Sequence, residues 1–190
     1  MAARTVLQMR NAVNRLRRES ILLNGNSSSP DSGSNKSERE SHVAEGIIAN
    51  FSSADDLFEW DAYIQGPENS HFEFGIFHAK LTFPKDYPMS PPKMKFIHPK
   101  LFHPNIYKDG SVCISILHPA GEDPMGYELP QERWTPAHSI EKILLSVMSL
   151  LAEPNAQSPA NVDAAKMFRD DLEQFRKIAQ ASVRESLDLD

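Results

Sequence analysis

Between residues 5 and 19, Val6, Met9, Ala12, Val13 and Leu16 recur at the interval of a helix, with arginines between them. Thr5 stands where an N-cap belongs, so an amphipathic helix is expected over 5–19. The pattern stops in residues 24–45, where seven of 22 residues are serine and Val43 is the only large aliphatic. Such a segment cannot bury enough apolar surface to offset its ordering entropy, and it is expected to be a disordered insertion within one domain spanning 1–187. A phosphorylated serine cluster is the alternative use for it. The period then changes to two. Phe58, Trp60, Ala62 and Ile64 alternate with polar neighbours, as do Phe77, Ala79, Leu81 and Phe83. Gln65-Gly66-Pro67-Glu68-Asn69 supplies turn chemistry between these two strands. Met94 and Phe96 mark another strand, and Gly46 to Asn50 a weak first one.

Four prolines in positions 84–92 exclude helix and sheet interior there and predict a stiff, extended loop. Residues 98–138 are irregular, and long irregular stretches inside a domain tend to be functional. From Ser139 the helical period returns, with Ile140, Ile143, Leu144, Val147, Leu150 and Leu151 predicting a central buried helix that Glu153-Pro154-Asn155 stops. A short helix over 163–169 follows. Asp170 and Glu173 read as the capping box of a last helix carrying Leu172, Phe175, Ile178, Ala179 and Val183 on one face, before a tail at 188–190. Helix, antiparallel meander and then helices give an α+β fold with the C-terminal helices on one face of four strands.

Composition narrows the function. A net charge of −6 argues against nucleic acid as the main partner. Residues 1–20 hold five arginines against one glutamate, so a basic arm precedes an acidic body. It suits docking to an acidic protein surface, and equally a merely solvated helix face. The single cysteine, Cys113, rules out an intramolecular disulfide and a cysteine-built zinc site. A reducing compartment is expected, with no signal peptide, no tail anchor and no direct membrane insertion. A lone cysteine is more often a buried small hydrophobe than a nucleophile. Here it follows the turn residues Asp109-Gly110, and eight positions upstream lies His103-Pro104-Asn105. An Asn amide held by a proline can donate to an oxyanion developing at a cysteine nucleophile.

His-Pro-Asn-Ile-Tyr-Lys-Asp-Gly-Ser-Val-Cys-Ile-Ser-Ile-Leu, residues 103–117, resembles the active-site signature of ubiquitin-conjugating enzymes. Trp134-Thr135-Pro136 with the run from Ile140 to Ser146, and Tyr87-Pro88-Met89-Ser90-Pro91-Pro92-Lys93, resemble that family's lead into its central helix and its proline-rich loop. The insertion from His118 to Glu128 resembles the acidic-loop subgroup, and within it the conjugating enzymes of endoplasmic-reticulum-associated degradation. The resemblance covers roughly residues 46–187 and implies the ubiquitin-conjugating fold.

The resemblance further implies two acyl transfers: Cys113 takes ubiquitin from an activating enzyme as a thioester, and a lysine amine then attacks it, with a ubiquitin ligase holding the pair. Asn105 would stabilise the oxyanion or stiffen the loop, while His103 and Pro104 shape that loop. Glu122 and Asp123, with His118 behind them, are candidates to position the lysine or take its proton; the acidic loop acting as a gate is the alternative. Met89, Pro136, Ala137 and the first helix would meet the ligase, a membrane-embedded one included. Neither cofactor nor metal is implied. The expected location is the cytoplasm, through a partner the cytosolic face of the endoplasmic reticulum, with the nucleus as a further compartment. One rival reading is a catalytically dead ubiquitin-binding scaffold of the same fold, against which Cys113 stands in register with Asn105. The other is a cysteine hydrolase using Cys113 with a distant His and Asn, which needs an imidazole beside the thiol. A ubiquitin-like modifier would fit the chemistry equally well.

Overall fold

The change of period after residue 45 is where the sheet begins. The computed structural model describes residues 2–24, 45–121 and 128–189. The expectation for the serine-rich insertion therefore lies, apart from its two end residues, outside the described residues. Four antiparallel strands follow in sequence order: β1 (Ile47–Phe51), β2 (Glu59–Gln65), β3 (Ile76–Thr82) and β4 (Lys93–His98). The alternation places Trp60, Ala62, Ile64, Phe77, Ala79, Leu81, Met94 and Phe96 in the core. Ala49, Ala62 and Ala79 stand in one register row, a shallow strip across three strands.

Against that inner face pack the helices: α1 (Ala2–Leu23) on β1, α2 (Ile140–Ala152) on β2, and α4 (Leu172–Ser186) on β3, with α3 (Val162–Asp170) beside α4. All contribute to or border one contiguous core that includes Leu16, Trp134, Ile143, Leu144, Val147 and Phe175. Trp60 and Trp134 are both fully buried, and truncating either to alanine would cost about 3–5 kcal/mol. Among the described residues no helix is long and apolar enough to cross a membrane.

Several local expectations need correction. The first helix starts by Ala2, so Thr5 lies inside it; alanine and arginine are strong helix formers and nothing before Thr5 stops the helix. It also runs on to Leu23, where the Asn24 side chain donates to the Ser20 carbonyl at 2.9 Å. The connection between β2 and β3 spans residues 66–75 rather than a tight turn, closed by Gly66 N–H to Gly75 O at 2.8 Å, with Phe72 plugged into the core. The proline-rich loop is not extended. Tyr87 N–H bonds to Pro84 O at 3.0 Å and Met89 N–H to Asp86 O at 2.9 Å, so it folds into consecutive turns. Ser139 caps α2 as expected, accepting from Lys142 N–H. That helix buries one stripe only, and Leu145 faces outward. Asp171, not Asp170, caps α4 by accepting from Gln174 N–H. Asp170 closes α3 and pairs with Arg169 instead.

Candidate active site

Two glycine-dependent events bring Cys113 to the surface. The Asp109-Gly110 turn is closed by Gly110 N–H to Tyr107 O at 2.8 Å, and the Asp109 carboxylate accepts from both the N–H and the hydroxyl of Ser111. Those bonds and Lys95 hold the Asp109 carboxyl well below the usual carboxylate range. Gly110 has φ +96°, and a Cβ there would stand 2.3 Å from the Phe96 carbonyl oxygen. Only glycine fits this contact, which also brings Phe96 N–H to Gly110 O at 2.9 Å. The chain then runs back along Ile106, with Val112 bridged to it, and Cys113 N–H donates to Asn105 O at 2.9 Å. Cys113 is half-buried beside a groove of about 480 Å³ that Asn105, His118, Glu128, Arg133 and Asn155 also line.

The Asn105 side chain is nearly fully buried and spends both polar ends on one partner. Its Nδ2 donates to Asn155 O at 2.8 Å, and its Oδ1 accepts from Asn155 N–H at 2.8 Å. This ties the loop before the thiol to the chain leaving α2. His103, fully buried, sits beneath: its Nδ1 accepts from Asn105 N–H at 3.0 Å and its Nε2 faces Leu150 O at 3.0 Å. A carbonyl can only accept, so Nε2 carries the proton and the ring is neutral. Burial pushes its pKa down to about 4, which removes it from proton transfer near neutrality. Pro104 O accepts from Asn161 N–H at 2.9 Å, and Asn161 in turn caps α3. Thus three consecutive residues anchor to α2, to the N-cap of α3 and to the chain between those helices.

On the other side of the thiol, His118 Nε2 lies 3.7 Å from Cys113 Sγ, and its Nδ1 lies 2.7 Å from Glu128 Oε1. Glu128 also accepts from Ser115 Oγ at 3.0 Å and faces Arg133 Nε at 3.2 Å. The Tyr107 hydroxyl approaches Sγ at 3.9 Å. Burial pushes the Cys113 thiol pKa up; the Tyr107 hydrogen bond opposes this, and the Glu128 charge adds to it. The cysteine-hydrolase reading asked for an imidazole beside the thiol, and one is there. Burial of the thiol works against the thiolate such an enzyme uses. Glu122 and Asp123 lie outside the described residues. Among the described residues no cluster of three or more His, Cys, Asp and Glu side chains could hold a metal ion.

Met89, 65% exposed, and the exposed Pro136 and Ala137 lie outside this groove. The buried Trp134 joins their two loops: its Nε1 donates to Pro88 O at 2.8 Å, and its ring packs on Tyr87. Glu19, 4% exposed, fastens α1 to the same place. It bonds Arg15, accepts from the Tyr87 hydroxyl at 2.8 Å, and accepts from Ile140 N–H at the start of α2.

Several site residues escaped the sequence reading. Asn155 was visible only as part of the stop after α2, and Glu128 only as one charge of an acidic segment. Nothing in the spacing marked Tyr107 or Glu19. A buried helix-face glutamate among arginines could have raised the question for Glu19 alone.

Comparison with known proteins agrees with this geometry. A family model described as "Ubiquitin-conjugating enzyme" matches residues 34–183. "Ubiquitin-conjugating enzyme E2 G2" of Homo sapiens is 63% identical over 145 residues, 76% of this chain and 87% of that relative. "Ubiquitin-conjugating enzyme E2-18 kDa" of Schizosaccharomyces pombe is 54% identical over 145 residues, again 76% and 87% of the two chains. "Ubiquitin-conjugating enzyme E2 7" of Arabidopsis thaliana is 49% identical over 148 residues, 78% of this chain and 89% of that relative. A half-buried thiol, a braced asparagine beside it and a four-strand meander backed by helices thus occur in a chain that belongs to the ubiquitin-conjugating enzyme family, transferases that act through a thioester intermediate.

Proposed function

We propose that Cys113 is the thioester carrier, taking the C-terminal carbonyl of ubiquitin from the activating enzyme and yielding it to a lysine amine. The observation that carries this reading is the position of the chain's single thiol, half-buried on the groove and backbone-bonded to Asn105. In the first step Sγ replaces the activating enzyme's sulfur on the carbonyl carbon. In the second, a C–N bond forms and the C–S bond breaks, so no cofactor is consumed here. Asn105 chiefly stiffens the loop, since both ends of its carboxamide hold Asn155. Its second amide hydrogen is what remains for an oxyanion. His103 and Pro104 act through Asn105. Glu122 and Asp123 position the arriving lysine.

The ligase docks on Met89, Pro136 and Ala137 with α1, a face that Trp134 and Glu19 hold together. The role we assign is ubiquitination for protein degradation, that of endoplasmic-reticulum proteins included, with a membrane-embedded ligase recruiting the enzyme from the cytoplasm. Support comes from the acidic-loop signature of residues 118–128 and from the relatives called E2 G2. The test is incubation with activating enzyme, ATP and ubiquitin, followed by electrophoresis with and without reductant. A reductant-labile adduct in the parent, absent from Cys113→Ala, is expected. The same adduct persisting in Cys113→Ala would sink the assignment.

A further inference from the structure

The groove beside Cys113 holds a hydrogen-bonded chain that the two acyl transfers leave unexplained. A carboxylate can only accept, so the His118 nitrogen 2.7 Å from Glu128 Oε1 carries its hydrogen, and the lone pair of the neutral ring is left on Nε2. Nε2 is the nitrogen that faces Cys113 Sγ at 3.7 Å. Glu128 is itself oriented by Ser115 Oγ at 3.0 Å and by Arg133 Nε at 3.2 Å. A histidine on a merely solvated acidic loop would not need a carboxylate braced from two sides.

We propose that His118 is a catalytic proton relay at Cys113, and that Glu128 is the positioning residue that fixes its tautomer and ring orientation. The proposal rests on the acyl-transfer reading of Cys113. Among the described residues, the two nitrogen-bearing side chains of residues 103–105, before the thiol, are poor candidates for the proton. The Asn105 carboxamide has no basic lone pair, and His103 is buried, neutral and bonded at both nitrogens. Among the described residues, the charged and titratable groups around His118 are Glu128 with Arg133 behind it, Glu132 on the same groove, the Cys113 thiol with Tyr107 beyond it, and Lys80, Lys93 and Lys95 along the adjoining groove.

The step balances without any co-reactant. A neutral lysine amine attacks the thioester carbon and forms the C–N bond, and its surplus proton passes to His118 Nε2. The C–S bond breaks with its electron pair on Sγ. The imidazolium then returns the proton to that sulfur, leaving amide, thiol and neutral His118. The raised pKa of the Cys113 thiol suits this order, because the departing thiolate recaptures a proton readily.

The test is single-turnover discharge of preformed, quantified Cys113–ubiquitin thioester to free lysine between pH 6 and pH 9.5. Parent, His118→Gln, His118→Ala and Glu128→Gln are compared, each checked by thermal melting. His118→Gln is expected to slow discharge roughly 100-fold at pH 7, with the gap closing toward pH 9.5, where hydroxide can take the surplus proton instead. Added imidazole should restore discharge in His118→Ala. Glu128→Gln, whose amide group can donate to Nδ1 and so let the ring carry its hydrogen on Nε2, should slow discharge with charging intact, and should add nothing to the loss in a chain already carrying His118→Gln. Profiles that superimpose on the parent overturn the relay, and so does a pH-independent loss that imidazole does not restore. Were the parent to form no thioester at all, the acyl-transfer reading would fail first and the relay with it, a result distinct from normal charging with unaltered discharge.

Discussion

Asn105 shows how one side chain sets the behaviour of the whole site. Removing its carboxamide strips a partner from both the N–H and the C=O of Asn155. Asn155 is exposed, so water replaces part of what is lost, and Asn105→Ala should lower the melting temperature only modestly. Its discharge to lysine should fall further than its loading, by up to ~100-fold if the remaining amide hydrogen serves the oxyanion. Equal losses in both steps would point to loop collapse alone. His103 makes a separate claim about pH. Its pKa is pushed down to about 4 in the fold by burial, against ~6.5 for an unperturbed histidine. Between those values the unfolded chain binds a proton that the native one does not. Stability is therefore fully present above pH ~6.5 and declines as pH falls toward 4, by on the order of 3 kcal/mol for this one group. Urea titrations of parent and His103→Asn between pH 4 and pH 8 check this: the variant's curve should be flatter, and parallel curves would remove His103 as the cause.

At the scale of elements, Glu19 shows both what the sequence reveals and what it withholds. The helical period of residues 5–19 was plain, as were Ser139 as a cap and the alternation in β2 and β3, because these signals are local. Glu19 looked like the one acid among arginines. Its partners come from the proline-rich loop 68 residues away and from the start of α2, 121 residues away. No spacing rule reaches that far. The one-residue shift of the α4 cap, from Asp170 to Asp171, has the same root: adjacent aspartates carry equal local propensity, and packing of α3 on α4 chooses between them. The site divides likewise. Residues 103–117 were legible as a motif, whereas Glu128 and Asn155 join it only through tertiary contact. Glu19→Gln should destabilise the fold by on the order of 3 kcal/mol, because Arg15 and the Tyr87 hydroxyl lose a charged acceptor. Since that hub holds α1 against the Met89 loop, ligase affinity measured by calorimetry should weaken too. Unchanged affinity in a folded variant would separate the hub from the docking face.

Across the whole molecule, a charge of −6 divides into a basic first helix and an acidic body that carries the groove. The serine-rich stretch between α1 and β1 adds length without apolar surface, and loop-closure cost rises only slowly with length. Replacing residues 25–44 by a short Gly/Ser link should therefore leave melting temperature and charging unchanged; a fall of several degrees would show that the segment packs. The proposed chemistry depends on one acyl group reaching one sulfur, and a substitution can trap it. Cys113→Ser should still present a nucleophile on the groove but form an oxygen ester, which exchanges poorly with thiols. The decisive measurement is intact-mass and peptide mapping of Cys113→Ser after incubation with activating enzyme, ATP and ubiquitin. One added ubiquitin, resistant to reductant, cleaved by alkali and mapped to position 113, is the predicted result. A reductant-resistant adduct mapped to any other residue, with position 113 unmodified, would contradict it.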